Sequence, residues 1–83
     1  MLVKDFETLS PTERSALVKP YNMRWVGTGR DESAEEYIER YDMRLLYEED
    51  GFRFCASTED MYGDPVDEEI VVVVIDGGYF FDL

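Results

Sequence analysis

The chain has 83 residues, 45% of them hydrophobic and 14% aromatic, with 20 acids against 8 bases for a net charge of −12. That length makes one domain, residues 1–83, with room for a single modest core, and the apolar content is too high for intrinsic disorder. The charge opposes direct binding to nucleic acid, whose phosphates require Lys and Arg, and to an anionic membrane surface.

Residues 1–9 space Val3, Phe6 and Leu9 as a short helix or an irregular arm over 3–9. Ser10, Pro11 and Glu13 follow the pattern of a capping box, with Ser at the N-cap, Pro at N1 and Glu at N3. They open a helix over 11–18, which Pro20 stops. Residues 21–26 alternate Tyr21, Met23 and Trp25 with Asn22, Arg24 and Val26, which reads as a half-buried strand ending at Gly27.

The clearest helix covers 32–42. Ala34, Tyr37, Ile38 and Tyr41 recur at i, i+3, i+4 and i+7, so they share one face. Glu32, Glu35, Glu36 and Glu39 recur with the same spacing almost opposite, and Asp31 or Ser33 is placed to cap the helix. Two alternating stretches follow, 43–48 and 52–57, joined through Asp50-Gly51, the preferred pair for a type I′ hairpin. One places Met43, Leu45 and Tyr47 on a common face; the other does the same for Phe52, Phe54 and Ala56. Residues 58–69 read as a twelve-residue acidic loop.

Ile70-Val71-Val72-Val73-Val74-Ile75 is six β-branched residues with no polar face. Such a run is best satisfied by a strand covered on both sides, so 70–75 takes the centre of the sheet. Gly77 and Gly78 turn the chain into a last strand over 79–82. Tyr79-Phe80-Phe81 is apolar on both faces, and as a terminal edge it would invite a homodimer through that strand. The fold class is therefore α+β. It has a small, mostly antiparallel sheet of four to five strands (21–26, 43–48, 52–57, 70–75, 79–82) with two or three short helices (11–18, 32–42, 3–9) packed on it.

Chemistry is constrained by what is missing. The chain holds no histidine, which removes the commonest general base and the commonest transition-metal ligand. The single cysteine, Cys55, excludes an intrachain disulfide and fits a reducing, cytoplasmic setting. It sits among strand residues as a buried thiol. There is no 18-residue apolar window, and the N-terminus lacks the apolar run of a signal peptide. Gly27-Thr28-Gly29-Arg30 precedes a helix, but it lacks the third glycine of a dinucleotide fingerprint and the ending of a P-loop. Acids at 59, 60, 64, 67, 68 and 69 offer oxygen ligands, yet an EF-hand frame on Gly63 puts Thr58 and Tyr62 at its first and fifth positions. With so many carboxylates none is singled out as a catalytic pair. The reading is a protein with no catalytic residues, no cofactor and no metal.

Charge is unevenly placed: residues 1–30 carry +2 and residues 31–83 carry −14. Glutamates three and four apart on a helix have Cβ atoms roughly 5–6 Å apart and repel by a few tenths of a kcal/mol per pair. DNA carries a charge about every 3.4 Å along each strand, a spacing of the same order. A solvated helix face that aids solubility is the plainer explanation of the stripe. Solubility, however, needs far less charge than the stripe, Glu48, Glu49, Asp50, Glu59, Asp60, Asp64, Asp67, Glu68 and Glu69 provide together. Tyr62 stands among these acids as an aromatic anchor.

In composition alone, small acidic histidine-free domains of this kind resemble the anti-restriction and anti-CRISPR inhibitors encoded by phages and mobile elements. That resemblance implies an acidic inhibitor which occupies a basic nucleic-acid-binding groove of a partner by mimicking nucleic acid. The expected contact residues are Glu32, Glu35, Glu36, Glu39 and the acids and tyrosine just named. The alternatives are a non-mimic interaction module, such as an immunity protein, antitoxin or adaptor, and a homo-oligomeric regulatory domain.

Overall fold

A computed structural model describes residues 1–18, 25–27 and 32–81, with 25–27 described by backbone alone. The first part of the strand over 21–26, the turn after Gly27, Asp31 as a cap and the end of the strand over 79–82 lie outside the described residues.

The elements are α1 (Val3–Phe6), α2 (Pro11–Ala16), β1 (Trp25–Gly27), α3 (Ala34–Arg40), β2 (Arg44–Glu49), β3 (Phe52–Glu59), β4 (Pro65–Ile75) and β5 (Gly78–Phe80). All neighbouring strands run antiparallel, in the order β1-β5-β4-β3-β2. The α+β class and the central place of the valine run stand. Val71 and Val73 pack with Val3, Phe6, Phe54 and Ala56 beneath α1, joined at the margin by Leu9 and Leu17. Val72 and Val74 pack with Ala34, Tyr37 and Cys55 beneath α3. Helices therefore cover both faces, which is why β4 has no polar alternation from Ile70 to Ile75.

Local chemistry sets the helix ends. Ser10 and Glu13 form the complete capping box: Ser10 Oγ accepts from the Glu13 N–H at 3.2 Å and Glu13 Oε1 from the Ser10 N–H at 3.0 Å. The backbone hydrogen bond from Ser10 holds the Glu13 carboxyl below its usual pKa. At α3, Ser33 is the N-cap and accepts from the Glu36 N–H. Asp76, in the β4–β5 turn, accepts from the Ala34 N–H at 2.8 Å, and the Gly77 N–H donates to the Glu32 carbonyl at 2.8 Å. The start of α3 is thus fastened to the turn that leaves the central strand. The N-terminus is fastened too, because the Val71 N–H donates to the Met1 carbonyl and Leu2 bridges Ile70.

Four expectations need correction. The helix over 32–42 is seven residues long and begins after Ser33, so Glu32 is outside it. The acidic loop over 58–69 is mostly strand: β3 continues to Glu59, β4 begins at Pro65, and only 60–64 turns. Proline is tolerated at a strand's first residue, and Asp67 and Glu68 stay exposed on it. Leu45 and Tyr47 lie on opposite faces, because a bulge between them shifts the parity of β2. Leu45 pairs with Cys55 on the α3 side and Tyr47 with Phe54 on the α1 side. Finally, β5 is not an edge; β1 occupies its free side along Gly78–Phe80. Dimer formation through that strand loses the open edge on which it was based.

Candidate functional site

The acids form two groups once the bases are placed. Lys4 pairs with Glu68 at 3.2 Å and Arg44 with Glu69 at 2.9 Å, on the side of the sheet that carries α1. Arg40 reaches Glu32 at 2.8 Å, and Arg53 binds Glu48 at 2.9 Å and Glu35 at 3.3 Å. The hydrogen bond that Arg53 donates to Glu48 raises the Arg53 pKa further, so this guanidinium keeps its charge. Arg14 lies over the rings of Phe6 and Tyr47, at 4.5 and 5.3 Å from their centroids. Every base among the described residues is thereby engaged.

Glu32 is the clearest departure from the expected site. Its side chain is 4% exposed, so it cannot face a partner; it is an internal carboxylate against Arg40. Glu49 is half-buried and accepts from Ser15 Oγ and from the Tyr47 hydroxyl. Asp60 turns the chain: its Oδ1 accepts from the Tyr62 and Asp64 N–H groups at 2.9 and 3.0 Å. Asp50 and Gly51 take positive φ, 49° and 82°, as a type I′ hairpin requires.

Glu36, Glu39, Asp50, Glu59, Asp64 and Asp67 are left exposed with no ion pair among the described residues. They do not form one patch. The best-defined grouping is a groove between α3 and β2, with a floor of Ile38, Met43 and Leu45 and a rim of Glu35, Glu39, Asp42 and Glu48; among the described residues Arg53 is the one base that lines it. Leu45 is 51% exposed there. Asp42, Leu45 and the groove itself were missed in the sequence. Asp42 continues the stripe at i+3 from Glu39, a signal that was available; Leu45 faces α3 only because of the bulge.

Tyr62 stands at the tip of the 60–64 turn, 80% exposed, as its acidic surroundings suggested. Cys55 is fully buried, and desolvation pushes its thiol up to about 11. It is inert as a nucleophile at neutral pH. Among the described residues no three His, Cys, Asp or Glu side chains converge as a metal-binding group, and no helix is long and apolar enough to cross a membrane. Comparison with protein-family models, curated proteins and solved structures finds no match for this chain.

Proposed function

We propose that the protein is an acidic inhibitor that occupies a basic nucleic-acid-binding groove of a partner protein. The observation that carries this reading is the disposition of charge: among the described residues the bases are spent on other contacts, while Glu36 and Glu39 on α3 and Asp42 just after it have no ion pair. Carboxylates held on a short helix over a doubly covered strand keep their spacing, as a substitute for phosphates must. They would pair with the Lys and Arg that normally hold nucleic acid, so affinity would fall steeply with salt. The setting would be a cytoplasmic one, of the anti-restriction or anti-CRISPR kind.

The test starts with capture of a partner from the source cell at low salt, followed by competition with duplex DNA or RNA. Nucleic acid should displace the captured protein. Glu36→Lys/Glu39→Lys should weaken binding at least tenfold, whereas Glu7→Lys, at the C-cap of α1, should not. Glu35 is kept because it anchors Arg53. Binding that ignores both salt and nucleic acid would sink the mimic. It would support a second reading, an interaction module that recognises shape, for which the apolar floor of Ile38, Met43 and Leu45 speaks.

A further inference from the structure

On the other flank of α3 lies a pocket of different character. Its wall is a run of rings: Tyr41 and Tyr37 with centroids 4.7 Å apart, Tyr37 and Tyr79 at 4.6 Å, and Tyr79 and Phe81 edge-on at 5.4 Å. The 60–64 turn closes the opposite side and brings Tyr62, and Glu59 and Asp60 add carboxylates to the lining. The cavity measures about 260 Å³, and among the described residues no Lys or Arg lines it. Met43 lines both this pocket and the acidic groove, so the two adjoin around the end of α3.

We infer that this pocket receives an arginine side chain of the partner. Ring faces are electron-rich and attract cations, and a planar guanidinium stacks on them while its fork of donors reaches carboxylates and hydroxyls. An ammonium offers a compact point charge and no plane to stack. The acceptor is fixed before any ligand arrives, because Asp60 Oδ1 is locked by two backbone N–H groups of its own turn. The rings are fixed as well, since Tyr37 is buried in the core and holds Tyr79 and Tyr41 against itself. A partner that binds nucleic acid presents arginines on the surface it would offer here. The inference thus rests on the proposed basic partner and adds an anchoring contact beside the carboxylate surface.

The experiment uses the whole chain, isotope-labelled, titrated with the peptide acetyl-Gly-Arg-Gly-amide and followed by NMR of the aromatic rings. Saturable shifts are expected at Tyr41, Tyr62 and Phe81. The citrulline peptide, isosteric but neutral, should bind about tenfold more weakly or less, and the lysine peptide should also bind more weakly. Tyr62→Ala should cost roughly two- to fivefold in affinity. Because Tyr62 is 80% exposed, the fold tolerates that change. Equal binding of the citrulline or lysine peptide, or shifts confined to the Glu36–Glu39 side, would overturn the assignment. Glu36→Lys/Glu39→Lys separates the two claims, since it should leave peptide binding intact while abolishing partner capture. If the peptide fails to bind but this variant still loses the partner, the pocket is wrong and the acidic surface stands. If the peptide binds but the variant keeps the partner, the reverse holds.

Discussion

Asp42 shows at one position how local stability gives way to charge. It follows α3 with φ 50°, in the left-handed region. The Met43 N–H donates to the Ile38 carbonyl at 3.0 Å and the Asp42 N–H to the Glu39 carbonyl at 3.2 Å, which is the Schellman motif. Glycine is the usual residue there, and a carboxylate at a helix C-terminus opposes the dipole. Asp42→Gly should therefore raise stability by about 0.5–1 kcal/mol in urea melts, after the entropy of glycine is set against the relief of strain. Asp42→Asn separates strain from charge. A loss of stability on Asp42→Gly would refute the argument. Cys55 gives the second test at this scale. Its folded-state pKa, about 11, lies above the ordinary thiol value of 9.0. The stability held by this burial is complete below the unfolded value and is lost as pH rises from 9 towards 11. Cys55→Ala should flatten the alkaline end of the stability profile, and the native thiol should react with a disulfide reagent at pH 8 only as fast as the chain opens. Prompt stoichiometric labelling would show an accessible thiol instead.

Element by element, β4 was legible because its composition admits one environment. The prediction is specific to two-sided cover: Val71→Ala, Val72→Ala, Val73→Ala and Val74→Ala should each cost about 2–3 kcal/mol, the loss of two buried methyls plus a cavity. A strand covered on one face would instead give alternate large and negligible values in a urea-denaturation series. The capping box and the Asp50-Gly51 hairpin were equally legible, since both are local patterns with few alternatives. What the sequence hid depends on contacts distant along the chain or on a one-residue shift. Whether α3 starts at Asp31 or Ser33 decides whether Glu32 is a surface charge or an internal one, and local pattern permits either. The bulge between Leu45 and Tyr47 leaves no mark in composition, yet it sends Leu45 to the groove. Pro65 and the acids after it read as loop by propensity, but Pro65 pairs with Glu59 and Ile70 with Ser57, and β4 runs through the irregular stretch between those pairs. The candidate site was legible only as a list of acids. Which of them stay bare was fixed by Arg53 reaching Glu35, Arg44 reaching Glu69 and Lys4 reaching Glu68.

At the scale of the molecule, the question is whether the ion pairs or the excess charge dominate the electrostatic energy. Lys4–Glu68 and Arg44–Glu69 are exposed pairs worth roughly 0–1 kcal/mol each, and screening them loses little. Against them stands the repulsion among carboxylates in a chain of net charge −12. The described residues span 32 × 28 × 21 Å. At about 10 mM salt the Debye length is roughly 30 Å, so nearly every acid feels every other; at about 150 mM it is roughly 8 Å and only neighbours interact. Raising salt over that range should therefore stabilise the fold and raise Tm by several degrees, since about 1 kcal/mol shifts Tm by roughly 4–8 °C in a domain of this size. Glu36→Lys/Glu39→Lys, which replaces two negative charges with two positive ones and so takes the net charge of −12 up to −8, should have the higher Tm at low salt and a flatter salt dependence than the parent. A Tm that falls with salt would mean that the pairs outweigh the repulsion. The same scan bears on function: a surface that destabilises its own domain at low salt gains most from meeting a basic partner, so the variant that relieves the strain should be the one that loses the partner.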